Sequence, residues 1–289
     1  MIYLNGDFMP IEQAKISVLD RGFIFGDGVY EVIPVYSRRP FRLEEHLARL
    51  QASLNAIRLA NPHSLVEWTE LAGKIIAGNP WDDQNVYLQV TRGAAKRDHA
   101  FPKGLKPTVF LMASELVTPP AELLESGAKA IVLPDFRWLR CDIKSTSLLG
   151  NCMLRTLAAD QGCVEAILVR DGELTEASAS NVFIVKNGTV LAPPKSHLIL
   201  PGITYDVVLE ILNANALPHE VRPVAESELR AAEEIWVTSS SREVLAITTL
   251  DGKPVGRGEK AGKPGPVGER VYALYQQYKA QVMRAPAHA

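Results

Sequence analysis

The chain is poor in most of the features that assign a function early. It holds three cysteines in 289 residues, Cys141, Cys152 and Cys163. Their number is odd and no CxxC pair occurs, which excludes a disulfide framework or a cysteine zinc site and suits reduced packing thiols. Neither sign of charge dominates, since 31 Lys and Arg stand against 33 Asp and Glu for a net charge of -2. With no basic cluster, nucleic acid is not an expected partner. Long apolar runs are also missing, and Met1-Ile2-Tyr3-Leu4-Asn5-Gly6 has neither the basic start nor the apolar stretch of an export signal. No membrane contact is expected, and the cytoplasm is the expected location. There is no G-x-G-x-x-G, P-loop, H-E-x-x-H or G-x-S-x-G, and the six histidines are scattered. A Rossmann nucleotide site, a metal site and an ordinary α/β serine hydrolase all lose their starting point.

What is present is an ordinary globular composition, 47% apolar and 22% charged, in a length that favours two domains. Helical and strand periods alternate along it. Asn5-Gly6, Asp171-Gly172, Asn187-Gly188 and Asp251-Gly252 lie between apolar runs and predict four hairpins, because these pairs accept the positive φ of a tight turn. Val29–Tyr36, rich in β-branched and aromatic residues, predicts a strand carrying Tyr30 and ending at Ser37-Arg38-Arg39-Pro40. Leu43, Leu47, Leu50, Leu54 and Ile57 recur at helical spacing, and Leu65 to Ile76 repeats the pattern around Trp68, Leu71 and Ile75. Val86–Arg92 and Thr108–Ser114 return to strand character. Thr118-Pro119-Pro120 interrupts both periods, since consecutive prolines neither continue a helix nor donate to a ladder. Beyond it come strand-like Ala128–Leu133, a helix around Met153–Ala159, a helix over Tyr205–Leu212, strand-like Ile235–Thr238 and a helix through Val267–Val282. The reading is α+β, with a small domain over 1–117, a linker over 118–122 and a larger strand-rich domain over 123–289. The tail from Arg284 to Ala289 is expected to fray.

Several polar residues sit inside otherwise apolar segments. Lys144 lies in Cys141-Asp142-Ile143-Lys144-Ser145-Thr146-Ser147 just before a helix, where an isolated lysine is ordinarily solvated. Glu176 lies in a run of small residues, Glu176-Ala177-Ser178-Ala179-Ser180-Asn181, that would admit a flat ligand or form a surface turn equally well. Arg49 falls on the Leu43 helix, where an exposed face is the ordinary explanation. Arg97-Asp98-His99 follows Thr91-Arg92-Gly93 in a polar loop of the kind usually left in solvent.

Taken together and in order, these residues resemble the branched-chain and D-amino-acid aminotransferase family, the fold-type IV class of pyridoxal phosphate enzymes. The resemblance runs through Arg21-Gly22-Phe23-Ile24-Phe25-Gly26-Asp27-Gly28-Val29-Tyr30-Glu31-Val32, Phe41 to Leu50 and Lys144. It continues through Glu176 to Phe183 and Leu200-Pro201-Gly202-Ile203-Thr204. Two positions depart from the pattern: Ala192 stands where a threonine is usual and Tyr205 where a basic residue is usual.

The resemblance implies a two-domain fold-type IV aminotransferase with pyridoxal 5'-phosphate as cofactor. Lys144 would carry the cofactor as a Schiff base and shuttle the proton, in keeping with the lowered pKa and free amine that desolvation gives a lysine. Glu176 would face the pyridine nitrogen. Arg49 would anchor the phosphate, with the backbone N–H groups of Ile203 and Thr204 at a helix start and the side chains of Ser239 and Ser240 completing the cup. Tyr30, Arg97 and His99 resemble the α-carboxylate trap of the D-amino-acid branch, with the Arg97 loop reaching in from a partner subunit, which implies a homodimer. The implied substrates are a D-amino acid such as D-alanine and a 2-oxo acid such as 2-oxoglutarate. A branched-chain L-amino-acid aminotransferase and an aminodeoxychorismate lyase are the alternatives.

Overall fold

The computed structural model describes residues 1–284, so of the tail expected to fray, Arg284 to Ala289, all but Arg284 lies outside the described residues. The chain forms two compact units, Met1–Val117 with Ile143–Leu148, and Thr118–Asp142 with the chain from Leu149 onward.

The first unit is built on β1 (Ile2–Leu4), β2 (Asp7–Met9), the short helix α1 (Arg21–Phe25), β3 (Gly28–Tyr36) and β4 (Arg39–Pro40). After these come helices α2 (Leu43–Ala56) and α3 (Leu65–Ala77) and strands β5 (Gln84–Thr91) and β6 (Thr108–Glu115). The six strands make one antiparallel sheet in the order β2-β1-β6-β5-β3-β4. Strand alternation then sorts the faces. Val29, Ile33 and Val35 of β3 join Val86, Leu88 and Val90 of β5 in a core covered by Leu47, Leu50 and Leu54 of α2 and Trp68, Leu71 and Ile75 of α3. Glu31 shares the inward parity of Val29 and Ile33 and is completely buried. Tyr30 has the opposite parity, and its ring stacks on Tyr87 at 5.6 Å.

The segment Ile143–Leu148, which the expected boundaries place within 123–289, clusters with this first unit. Backbone pairing is the reason. Tyr30 N donates to Lys144 O at 2.9 Å, Thr146 N donates to Gly28 O at 2.9 Å, and Val29 and Ser145 form a bridge.

The second unit opens with α4 (Ala121–Ser126), whose N-cap is Pro120, so the expected linker 118–122 runs directly into a helix. It continues through β7 (Ala128–Pro134), α5 (Leu149–Asp160), β8 (Glu165–Arg170), β9 (Glu173–Ala177), β10 (Asn181–Lys186), β11 (Thr189–Ala192), α6 (Ile203–Ala214) and β12 (His219–Val221). It ends with α7 (Glu226–Arg230), β13 (Glu234–Ser239), β14 (Glu243–Leu250), β15 (Lys253–Pro254) and α8 (Pro266–Lys279). A nine-stranded mixed sheet runs β12-β11-β10-β13-β14-β7-β8-β9, with β15 on β14. Its core includes Val182, Ile184, Ile235, Val237, Leu245 and Ile247.

All four expected hairpin turns are present, with both central residues at positive φ in each, as in Asn187 at 50° and Gly188 at 70°. The helix expected from Tyr205 begins two residues earlier, at Ile203. The last helix ends at Lys279 and passes into a π turn over Ala280–Arg284, so the expected run through Val282 is α-helical only in part. No helix among the described residues is long and apolar enough to cross a membrane.

Candidate active site

The first unit carries Tyr30, Arg49 and Lys144, and brings Lys144 against Tyr30. The half-buried Lys144 is held by its backbone, which accepts from Tyr30 N and donates to the Ser53 hydroxyl at 3.2 Å. Its Nζ lies 4.4 Å from the centroid of the Tyr30 ring. The lysine is thus fixed at the edge of a sheet, with its amine against an aromatic face, and not simply solvated.

Arg49 overturns the expectation of an exposed helix face, being only 9% exposed. It points inward because Glu31 awaits it there. Nε donates to Glu31 Oε1 at 2.8 Å and Nη2 to Oε2 at 2.7 Å, a bidentate pair. His46, three residues earlier on α2, places Nδ1 2.8 Å from the same carboxylate. Burial alone would push the Glu31 carboxyl up, but the Arg49 charge and the bonds from Arg49 and His46 outweigh it and hold the group at about 2. Burial keeps His46 neutral by lowering its pKa. A neutral ring that donates from Nδ1 leaves Nε2 as an acceptor, and that atom is buried without a hydrogen-bond partner among the described residues.

Arg97 and His99 are exposed on the β5–β6 connection, against the ring of Phe25 on α1. Exposure matches the ordinary expectation for a polar loop, but the loop is tied down from behind. Buried Arg21 donates to Asp98 O at 2.5 Å and to His99 O at 3.4 Å.

The second unit gathers Glu176, Ile203, Thr204, Ser239 and Ser240. Glu176, on β9, is buried, so a surface turn is excluded. Its Oε1 accepts from Arg137 Nη1 at 2.5 Å, and its Oε2 from Leu200 N at 3.0 Å and Asn181 Nδ2 at 3.4 Å. Burial pushes the carboxyl up to about 7, against the pull of Arg137. Asn181 also donates to Leu200 O at 2.9 Å, which ties Glu176 to the segment leading into α6. Gly202 caps that helix, and a Cβ there would fall 2.0 Å from Asn181 Oδ1, so only glycine permits the approach. Ile203 and Thr204 therefore occupy the first turn, where N–H groups lack helical partners. Asn181 pairs with Thr238 across β10 and β13, which brings the half-buried Ser239 and Ser240 to the same end of the sheet. Tyr205, the departure from the basic residue, is buried and donates its hydroxyl to Pro193 O at 2.8 Å.

Four groups of residues escaped the sequence reading. Glu31 was signalled by its parity, as a carboxylate at an inward position of a strand needs a buried cation. Arg137, chelated by Asp135 through Nε and Nη2 at 2.9 Å each, lies in a connection with no period to reveal it. Arg21 opens the five-residue helix α1 and Arg92 follows β5, and both share Asp27 Oδ2, at 2.6 and 2.8 Å. Buried Glu165 binds Arg242, Ser178 and Ser180, joining the Ser239 turn to the loop after Glu176.

The first unit supplies a lysine amine and a buried arginine. The second supplies a buried carboxyl near neutrality and a glycine-capped helix start flanked by serine hydroxyls. Comparison with known proteins identifies the family. The amino-transferase class IV family matches residues 28–250. The chain is 39% identical over 275 residues to a D-alanine aminotransferase of Bacillus licheniformis, covering 95% of each chain. It is 38% identical over 287 residues to a D-alanine aminotransferase of Listeria monocytogenes, covering 98% of this chain and 96% of the relative. Among solved structures it is similar to a branched-chain amino acid aminotransferase of T.th. with pyridoxamine 5'-phosphate. The TM-score is 0.89 at 27% identity, over 99% of this chain and 95% of that one. A fold IV transaminase of Curtobacterium pusillum gives a TM-score of 0.77 at 26% identity, over 92% of each. With the family profile spanning most of its length and these relatives matching nearly end to end, the chain belongs to the class IV aminotransferases.

Proposed function

We propose that this aminotransferase uses pyridoxal 5'-phosphate to move the amino group of a D-amino acid such as D-alanine to a 2-oxo acid such as 2-oxoglutarate. The observation that carries the reading is the near full-length similarity to D-alanine aminotransferases. The exposed Arg97 and His99, both placed against the Phe25 ring, support it.

Pyridoxal phosphate, when bound, supplies an aldehyde for amines and a ring that takes up electrons from the substrate Cα. The chain's own residues do the rest. Lys144 supplies the amine for covalent attachment and moves the proton at the substrate Cα. Glu176 keeps a proton at the ring nitrogen. Arg49, the backbone N–H groups of Ile203 and Thr204 and the hydroxyls of Ser239 and Ser240 hold the phosphate, a dianion suited to a guanidinium and a helix start. Arg97, His99 and Tyr30 grip the α-carboxylate, Arg97 through paired N–H donors, and so select the enantiomer whose Cα hydrogen meets Lys144.

The reading includes a homodimer in which the Arg97 loop serves the neighbouring copy. Large apolar side chains exposed on each unit support it, Val18, Phe23 and Phe101 on the first and Trp138, Leu139 and Leu149 on the second. The free cysteines suit a reducing compartment and support a cytoplasmic location.

A donor panel of D-alanine, L-leucine and an (R)-amine, with 2-oxoglutarate or pyruvate as acceptor, tests the reading. D-alanine is expected to be consumed fastest. Preference for L-leucine would establish the branched-chain alternative, and catalytic release of pyruvate from aminodeoxychorismate, well beyond one equivalent per site and with no oxo-acid acceptor, would establish a lyase.

A further inference from the structure

The loop that carries Arg97 and His99 is exposed on its outer side and built on its inner side. Arg21 is 3% exposed and donates to the carbonyls of Asp98 and His99, while Asp27 holds its Nε at 2.6 Å. Arg92 shares that aspartate and lies 3.7 Å from the centroid of Phe101. Two backbone bonds, Arg21 N to Gly93 O at 2.9 Å and Ala95 N to Leu19 O at 3.2 Å, fix the loop's first residues. The backbone is thus anchored on both sides of Arg97.

One side chain then receives both functional groups. The Phe25 ring has the Arg97 guanidinium 5.3 Å from its centroid, the His99 ring at 5.5 Å and the Arg21 guanidinium at 4.8 Å. A cation over an aromatic face is attracted by the ring quadrupole. A long side chain already held against a ring also gives up less rotamer freedom when it binds an anion.

We propose that Phe25 is a specificity-positioning residue, which seats Arg97 and His99 at a fixed spacing so that together they receive the α-carboxylate of a D-amino acid. The proposal rests on the carboxylate-trap reading above and adds the device that aims the trap. Phe25 acts through the two residues it carries. Arg21 serves the same end from the backbone side, by pinning the carbonyls of Asp98 and His99.

The test is a series, Phe25→Leu, Phe25→Met and Phe25→Tyr, with Arg97→Ala and the Phe25→Leu/Arg97→Ala double variant, assayed as cofactor-loaded enzyme. Phe25→Leu is expected to raise KM for D-alanine about tenfold, with kcat within about twofold and the cofactor absorbance unchanged. Phe25→Met gives the same comparison should the leucine variant not fold. Phe25→Tyr, which keeps the aromatic face, should restore KM. The double variant should raise KM by less than the two single effects combined, because with Arg97 gone only His99 remains for the ring to aim. An unchanged KM in both aliphatic variants, a parallel fall in kcat, no rescue by tyrosine, or additive effects would each overturn the proposal. If Arg97→Ala itself leaves KM unchanged, the carboxylate-trap reading fails and the seat falls with it. If Arg97→Ala raises KM while the aliphatic variants are silent, only the seat is refuted.

Discussion

Glu31→Gln is the substitution whose cost the structure specifies most closely. The carboxylate is fully buried and takes two bonds from Arg49 and one from His46. Its replacement by an amide of the same shape removes the negative charge and turns one acceptor into a donor facing either Arg49 Nε or both Arg49 Nη2 and His46 Nδ1. Two routes give the magnitude. The gap between the ordinary carboxyl value of 4.5 and about 2 corresponds to about 3 kcal/mol favouring the folded, ionised state. Removal of one partner from a buried ion pair costs on the order of 3–5 kcal/mol, because the other charge stays buried and unpaired. The routes agree, so a loss near 3 kcal/mol is expected, or roughly 6–12 °C in Tm for a chain of this size.

The measurement is thermal unfolding by circular dichroism at fixed protein concentration and saturating cofactor, so that neither a change in self-association nor cofactor loss enters the difference. The sign with pH follows from the direction of the shift. A carboxyl held below its unfolded value stabilises above about 4.5, and that contribution fades as pH falls toward 2. The gap between wild type and Glu31→Gln should therefore be level from about pH 6 to 8 and only weakly sensitive to added salt, as a buried pair is poorly screened. His46, neutral in the fold, adds a second loss on the acid side, since below about 6.5 the unfolded chain takes up a proton that the folded chain refuses. A drop in Tm of less than about 2 °C at pH 7, or one that vanishes in high salt, would show that Glu31 and Arg49 are not a buried pair.

Lys144→Ala should abolish the covalent cofactor link and nearly all transamination, and borohydride trapping on any other lysine would refute the assignment. Glu176→Gln should still bind cofactor but turn over far more slowly, because an amide cannot balance a positive ring nitrogen; an unchanged kcat would make Glu176 structural. Arg49→Ala should lose cofactor on dialysis, as a charge-assisted bond worth about 1.5–3 kcal/mol disappears, and equal retention would move the phosphate anchor elsewhere. A mixture of Arg97→Ala and Lys144→Ala chains should regain D-alanine transamination if the Arg97 loop serves the neighbouring copy, whereas a mixture as inactive as its components would place both residues in one chain's site.

Where the sequence repeats a period for several turns, the structure follows it. Leu43–Ala56 and Leu65–Ala77 are the two helices the leucine spacing predicts, and the four turn pairs fall between paired strands. The helices α1, α4 and α7 span only five or six residues, too few to display a period, and none was legible. The candidate residues could be named from the sequence, but their surroundings could not. Lys144 and Arg49 look solvated from the sequence alone, and Glu176 reads equally as a ligand site or a surface turn, because what buries them is distant in the chain. Glu31 is 18 residues from Arg49, Arg137 is 39 from Glu176, and Ser53 is 91 from Lys144. One clue was local, the inward parity of Glu31 between Val29 and Ile33. A charge at an inward position breaks the binary pattern, and such breaks concentrate where function requires them.

The two buried glutamates show how surroundings divide labour between identical side chains. Glu31 takes paired N–H groups along one edge of the Arg49 guanidinium and a histidine N–H besides, and it is held ionised near 2. Glu176 meets one guanidinium whose Nε and Nη2 are already committed to Asp135, itself paired with Arg170 at 3.1 Å. The charge that reaches Glu176 is therefore shared with a second anion, and burial prevails, leaving its carboxyl near 7. A group fixed as an anion at every working pH suits a scaffold. A group near neutrality can exchange a proton at working pH, as the proposed role of Glu176 requires. Asp135 raises the Glu176 carboxyl by drawing Arg137 away from it, much as Glu31 holds Arg49 on the inner face of its sheet.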